Sequence, residues 1–533
     1  MSLSSERTSP TGEAIGAADA PIGAPPQTIS LSLVSHTNVG KTTLARTLLG
    51  RDVGEVRDAP HVTEFAEVHT MLESPHGDRL QLWDTPGFGD SVRLIRRLRQ
   101  AENPIGWFIS AVWDRWTDRP FWFAQQALKN VRDEADVLLY LLSAAETPEA
   151  AGYVAPEMEL LAWTGKPVVV LLNQLGTPGD DAAAAELERW RRHVAGLAAT
   201  AQVLSFDAFA RCWVQEVVLL DAIGRVVATP AQRAAIERLA DAWRRARADD
   251  LAAAVAILAD TTARIAVARE VVAERANLAA RLRGVGAAIG IGRGGADDAT
   301  AAAQARLAAQ LQTSVRDSTS ALIRLHRLEG ESEAAILEAV QVDLHQKVDA
   351  GWAAIWGGAV SGALAGLSTD LLAGGLTLGG GLLAGGVLGA LGAAGLAHGV
   401  NRVRGTDRTW LAWKDDALQQ VVEAQLLRYL AVAHFGRGRG AWSDSTAPAH
   451  WPAAVHAALE PHREALALLW RERAGDEPDG ATLAQLRAGL AVVLLEATRA
   501  TLLHLYPQAA RAFDAAPHGE ARESANPPGQ PPR

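Results

Sequence analysis

The chain has a single cysteine, Cys212, so no internal disulfide can form and a reducing, cytoplasmic setting is expected. With no partner at ligand or redox spacing, that cysteine reads as a small buried residue rather than a nucleophile. The first 27 residues hold no apolar core, which argues against a secretory signal there and leaves a disordered leader over 1–27. The histidines are scattered, and no His/Cys cluster has metal-ligand spacing. A net charge of −10 and a pI near 5.8 give no broad basic footprint, so RNA is an unfavoured partner. Arg93, Arg96, Arg97 and Arg99 still form a local basic patch. No repeat recurs at solenoid spacing.

At 533 residues the chain is too long for one core, and two to four domains are expected. The stretch that organises it is LSLVSHTNVGKTTLARTLLG, from Leu31 to Gly50. An apolar strand, a loop from Ser35 to Gly40 and an amphipathic helix follow one another, the context in which G-x-x-x-x-G-K-[ST] binds phosphate. Ser35 stands where the first glycine belongs, so the backbone there must adopt an angle serine accepts. Backbone N–H groups of Ser35, His36, Thr37, Asn38, Val39, Gly40, Lys41, Thr42 and Thr43 form the cradle. Lys41 reaches the β/γ oxygens and Thr42 binds Mg²⁺.

The second element is LQLWDTPGFGD, Leu80 to Asp90. Its strand delivers Asp84 to the sheet edge, where it can hold Mg²⁺ through water, and the N–H of Gly87 can sense a γ-phosphate. Between the two elements, Arg51–Glu64 is polar and turn-rich, as a mobile first switch would be. Thr63 is its candidate Mg²⁺-binding hydroxyl, the alternative being an ordinary strand-edge threonine.

Strand-like runs at Ser30–Ser35, Phe65–Glu73, Arg79–Trp83, Val137–Ser143, Pro167–Asn173 and Val203–Phe206 alternate with helical patterns. They predict a three-layer α/β P-loop GTPase domain over 28–222 with a mostly parallel sheet. An insertion over 100–130 contains Trp107, Trp113, Trp116 and Trp122. Those rings either pack it onto the domain or present a surface for a homodimer or protein partner. Thr229-Pro230 looks like a helix start, and a mainly α-helical region is expected over 223–513 before a Pro-rich, disordered tail at 514–533. Helices are expected to include Trp410–Val432 and Pro452–Leu505.

Within that region, 352–401 is a Gly/Ala/Leu tract broken only by Asp370 and predicted to form a helical hairpin. Gly358, Gly362 and Gly366 recur every four residues, as do Gly381, Gly385 and Gly389, the spacing that lets membrane helices approach closely. Arg402 and Arg404 could anchor it at an interface. One reading is a hairpin at the inner face of a membrane; the other is a tightly packed soluble hairpin, since glycine and alanine carry little transfer energy.

SHTNVGKT, APHVTEF and DTPGFG, in that order, resemble the TrmE/Era-like branch of P-loop GTPases, with Val62 replacing the first threonine of the usual switch pair. The resemblance covers Ser30 to Leu220. More narrowly, DAFARCWVQE and the Gly-rich tract resemble an uncharacterised bacterial family that joins such a domain to a helical C-terminal domain of unknown function. The resemblance implies GTP as ligand and Mg²⁺ as cofactor. In potassium-activated members the loop asparagine helps bind a monovalent cation, so Asn38 implies K⁺ as a further cofactor, the alternative being a bracing role. Phe88 occupies the position of the water-orienting glutamine in Ras-type enzymes, which implies slow unaided hydrolysis.

The base-reading motif departs from N-K-x-D. Asn173 can bond the purine and Gln174 can lie on its ring, but Gly176 cannot accept the two donors that distinguish guanine. A lost charged acceptor matters by about 1.5–3 kcal/mol, and Asp180 or Asp181 would have to substitute. The last base-contacting loop is expected near Ser205 and Phe206. Three functions follow: a GTPase switch coupled to a helical, membrane-associated or partner-binding domain; an RNA- or ribosome-associated GTPase; or a nucleotide-binding scaffold with negligible turnover.

Overall fold

The structure is a computed structural model that describes residues 25–50, 67–89, 91–99, 106, 109, 119–173, 181–197, 200–206, 212–272, 295–328, 400–404, 409–434, 450–473 and 479–514. The first part alternates strands and helices: β1 (Thr28–Ser35), α1 (Lys41–Leu49), β2 (Glu67–Glu73), β3 (Arg79–Asp84), α2 (Ser91–Leu98), α3 (Arg119–Asp133), β4 (Val137–Ser143), α4 (Val154–Ala162), β5 (Val168–Asn173), α5 (Asp181–Val194) and β6 (Thr200–Ser205). The six strands lie in the order β2-β3-β1-β4-β5-β6. Only β2 runs antiparallel, paired with β3 across a hairpin; the remaining pairs are parallel.

The sequence explains why this sheet is sandwiched. Every residue of β4 and β5 is buried, as a parallel strand covered on both faces requires. Because side chains alternate, Val137, Leu139 and Leu141 join Leu31, Leu33 and Leu44 in one apolar cluster. Leu138, Tyr140 and Leu142 join Val34, Leu94, Leu128 and Met158 in a second. Helices therefore cover both faces, and the domain is the expected three-layer α/β GTPase fold with a mostly parallel sheet.

The first of these clusters does not stop at the sheet. It continues through α6 (Trp213–Val226) and α7 (Pro230–Val267) into α8 (Gly295–Leu325). From there it reaches α9 (Asp415–Ala433), α10 (Trp451–Leu459), α11 (Arg463–Glu472) and α12 (Gly480–Leu505). GTPase core and helical region are thus packed as one apolar body. Thr229 caps α7, accepting from the Gln232 N–H at 3.1 Å with Pro230 in the first turn, as its sequence predicts. At 38 residues α7 is about 57 Å long, taking 1.5 Å per residue.

The C-terminal region is mainly helical but also contains a three-stranded antiparallel sheet, β7 (Arg269–Val272), β8 (Val400–Arg404) and β9 (Thr409–Trp413), in the order β7-β9-β8. This changes three sequence-based boundaries. Trp410 belongs to β9, so the helix expected from Trp410 begins at Asp415. Pro452–Leu505 is divided into α10, α11 and α12, joined in part by a 3₁₀ turn over Glu460–His462. Val400 and Asn401, taken as the end of the Gly-rich hairpin, start β8, and Arg402 and Arg404 pair in register with Leu411 and Thr409. Val400 and Val403, two β-branched residues among five, favour the strand over a helix end. The tract over 352–399, the leader over 1–24 and the tail over 515–533 lie outside the described residues.

Candidate functional site

The site forms where β1 and β3 end side by side. Their register aligns Leu33 with Asp84, so the loop after β1 and the DTPG after β3 leave the sheet at the same edge. Ser35 is the last residue of β1 and fully buried. The left-handed backbone falls three residues later, at Asn38 with φ 65°, and again at Gly40 with φ 96°. The first-glycine position therefore needs no left-handed backbone here, and serine fits it. The Ser35 hydroxyl donates to the His36 carbonyl and accepts from Lys41 Nζ at 3.2 Å.

Lys41, at the start of α1, is buried. Burial pulls its ammonium below the ordinary lysine value against the opposing pull of Asp84 and Glu157. Asp84 is 4 % exposed, and burial holds its carboxyl above the usual range against Lys41 and the Thr42 hydrogen bond. Thr42 Oγ1 donates to Asp84 Oδ2 at 2.7 Å, while Asp84 Oδ1 is buried with no hydrogen-bond partner among the described residues. A hydroxyl beside a half-satisfied buried carboxylate suits a hard divalent cation, so Thr42 and Asp84 fit the Mg²⁺ that the fold implies. Thr42 and Asp84 would hold that cation, which would supply positive charge against a phosphate chain, and Lys41 would face the same charge.

The DTPG segment is fastened to the loop. Thr85 Oγ1 donates to the Leu33 carbonyl at 2.7 Å, the Phe88 N–H to the Ser35 carbonyl at 2.9 Å, and the Thr37 N–H to the Phe88 carbonyl at 3.1 Å. A Cβ on Gly87 would lie 3.0 Å from Lys41 Nζ and 3.1 Å from the Thr37 Cα, so a larger residue would fit only if the loop gave way by a few tenths of an ångström. The Phe88 ring is fully buried among Val34, Leu94 and Leu98. It fills the core rather than the phosphate side.

Asn173, at the end of β5, is fully buried, and its Nδ2 donates to the Val39 carbonyl at 3.1 Å. It ties the base-side strand to the phosphate loop, a contact the sequence does not announce. Ser205 ends β6; the Phe206 N–H donates to the Leu172 carbonyl at 2.9 Å and its ring is buried in the first cluster. The structure thus gathers Ser35 to Thr43, Asp84, Gly87 and Asn173 at one edge of the sheet. Thr63, Gln174, Gly176 and Asp180 lie outside the described residues, as do Trp107, Trp113 and Trp116. In α3, Phe121 and Phe123 are buried against the domain, with the Arg93 guanidinium 5.1 Å from the Phe121 ring centre.

Two features escape sequence reading. Glu157 of α4 is fully buried and bonds both His36 of the phosphate loop and Tyr140 of β4. At the turn between β2 and β3, the fully buried Asp78 receives both Arg238 Nε and Nη2 of α7, each at 2.7 Å. Neither pairing leaves a local signal, because the partners stand 121 and 160 residues apart.

Comparison with known proteins agrees with this architecture. Residues 30–174 match the family model described as 50S ribosome-binding GTPase, and residues 195–485 match the domain of unknown function DUF3482. GTPase Der of Deinococcus deserti is 28% identical over 157 residues, a match spanning 30% of this chain and 29% of Der's own length. Among solved structures, Era in complex with MgGDPNP and a segment of 16S ribosomal RNA is 18% identical, with 38% of this chain and 58% of that chain covered and a TM-score of 0.29. An Aquifex aeolicus Era variant bound to GDP·AlF4− is also 18% identical, with the same coverage and a TM-score of 0.27. A GTP-binding protein from Sulfolobus solfataricus in complex with GDP is 17% identical, covering 37% of this chain and 52% of its own, with a TM-score of 0.24. Since the DUF3482 match alone takes in more than half of the 533 residues, the chain belongs to that family, with an Era-like P-loop GTPase domain ahead of the helical domain.

Proposed function

We propose that the chain is a Mg²⁺-dependent GTP hydrolase whose nucleotide state is passed to its helical domain. The observation that carries the reading is the buried, half-satisfied Asp84 carboxylate beside Thr42 and Lys41, with Gly87 packed close over them. The arrangement suits a metal-bound phosphate chain, because a buried unpaired carboxylate oxygen otherwise costs stability. Lys41 would face the β/γ-phosphates, Thr42 and Asp84 would hold Mg²⁺ with Thr63 as a further candidate ligand, and the N–H of Gly87 would read the γ-phosphate. Asn38, exposed on the loop in a left-handed conformation, would hold K⁺, which would supply positive charge at the phosphates. Hydrolysis without that cation or a partner is slow, because the buried Phe88 ring cannot orient water.

Coupling to the helical domain runs through the β2–β3 hairpin. This hairpin joins the two switch segments, and Arg238 of α7 grips its turn at Asp78. Membrane association is assigned to the Gly/Ala tract at the inner face of the membrane. Helix α12 also has the length and hydropathy of a span, but Leu486, Leu490, Leu494 and Leu502 are buried in the helical core. A packing role accounts for α12 without a bilayer. Retention of the protein in membranes after carbonate extraction tests the assignment, and a wholly soluble protein overturns it.

A second reading, an RNA- or ribosome-associated GTPase, is favoured by the description of the family model that matches 30–174. The net charge of −10 opposes it, and RNA binding that weakens steeply with salt would support it. The test of the main reading is phosphate release from GTP and from ATP by purified protein, in K⁺ and in Na⁺. The expected result is GTP preference, stimulation by K⁺, and loss of nucleotide binding in Lys41→Ala. Preference for ATP overturns it, and nucleotide binding without measurable turnover points to a scaffold.

A further inference from the structure

We propose that Glu157 is a positioning residue for the phosphate-binding loop, acting through His36; the proposal rests on the nucleotide-binding reading above. Glu157 sits on α4, behind the sheet edge, with its side chain fully buried. One carboxylate oxygen bonds His36 Nδ1 at 2.7 Å and the other accepts from the Tyr140 hydroxyl at 2.7 Å. The His36 ring also stacks on Tyr153, with centroids 4.2 Å apart and planes at 19°. Its backbone lies between Ser35, whose carbonyl accepts from the Phe88 N–H, and Thr37, whose N–H donates to the Phe88 carbonyl. His36 is thus the residue at which loop, second switch and α4 meet.

The loop needs such a hold. It makes its turn with Asn38 in the left-handed region, a conformation that a non-glycine residue keeps only where its surroundings impose it. The Ser35 hydroxyl bonds act within the loop, and the bonds at Phe88 and Asn173 tie it to the second switch and to β5, but none of these reaches α4. The His36 bond to Glu157 does; a buried carboxylate is costly unless paired, and moving His36 away takes one of its close partners from it. The pairing energy therefore opposes any shift of the loop that carries His36, while contributing nothing to the phosphate contacts themselves. Loss of the pair should loosen nucleotide binding and leave turnover of bound GTP nearly unchanged.

Dissociation of a fluorescent GDP analogue from the full-length chain provides the test, with kcat and KM for GTP measured alongside. Glu157→Gln should speed dissociation about tenfold, raise KM and leave kcat within about threefold, and His36→Ala should speed dissociation by a similar factor. The double variant should be no more than about twofold faster than the faster single variant, because both remove one interaction. Tyr140→Phe, which leaves the His36 bond intact, should lower the melting temperature without changing dissociation. Single variants within about twofold of the parent, or effects that multiply in the double variant, overturn the proposal. Should Glu157 variants fail to fold, His36→Gln against His36→Ala carries the test: Gln keeps a polar group toward Glu157 and should restore part of the slow dissociation, and equal rates overturn the proposal. A parent protein that does not bind the analogue at all sinks the nucleotide reading itself, and this inference with it.

Discussion

Removing the Arg238 guanidinium should cost the protein about 1–3 kcal/mol at neutral pH, and most of that cost should disappear in acid. Breaking a buried ion pair typically costs about 3–5 kcal/mol because a charge is left uncompensated. Here the lower end applies: Asp78 still accepts from the Gln27 N–H at 3.0 Å and from Ser74 Oγ at 2.8 Å, and the Arg238 side chain is 27% exposed. The carboxyl gives an independent measure. Burial pushes it up, but the bonds from Arg238, the Gln27 backbone and Ser74 outweigh that and bring it from 3.8 down to about 2. That shift corresponds to roughly 2.5 kcal/mol at most, and to about 1–2 kcal/mol once solvent screening at the exposed part of the arginine is allowed for. Because the folded value is the lower one, the stabilisation is complete above the unfolded value near 4 and is lost as pH falls through about 2. Urea unfolding followed by tryptophan fluorescence, for the parent and Arg238→Ala at pH 7 and at pH 2.5, measures both quantities. A penalty below about 0.5 kcal/mol at pH 7, or one unchanged at pH 2.5, would refute the reasoning.

Three further outcomes follow from the site. In Gly87→Ala the new Cβ meets the backbone of Thr37 at 3.1 Å, so the segment must shift; GTP hydrolysis should fall on the order of tenfold to a hundredfold while the fold persists, as turnover and circular dichroism would show. Phe88→Gln introduces the residue that orients water in other GTPases, yet it removes a fully buried ring; it should lose about 3–5 kcal/mol of stability in denaturant titrations without gaining turnover. Asn38→Ala should abolish stimulation by K⁺ while the rate in Na⁺ stays the same, and equal stimulation in both proteins would remove Asn38 from the cation site.

Much of the GTPase core was legible because its signals are local. The runs LLYLL and VVVLL are apolar enough to require cover on both faces, and Val137–Ser143 was read with the limits it has. Ser35 and Phe88 stood out as departures, and the structure explains each by burial. What remained hidden depends on pairing across the chain. Glu157 lies in VAPEMELLA, where it reads as one more exposed helix former, and only the fold turns it toward His36. Arg238 is one of many arginines on an Ala/Arg-rich helix, and nothing nearby marks it as the partner of a hairpin turn. The strands β7 to β9 are four or five residues long in a helix-forming context. The β7–β9 pairing joins residues near 270 to residues near 410, beyond the reach of any periodicity, and β8 and β9 form a hairpin too short to stand out.

Helix α7 runs unbroken for 38 residues from the Thr229 cap to the threshold of the small sheet. An uninterrupted hydrogen-bonded ladder resists bending, so displacement at one end is carried to the other instead of being absorbed on the way. A tilt of about 5° about the Asp78 grip at Arg238 would swing the roughly 44 Å of helix beyond it by about 4 Å at its tip. Under the coupling proposed above, leverage of this kind would let a change at the phosphates work on a surface tens of ångströms away.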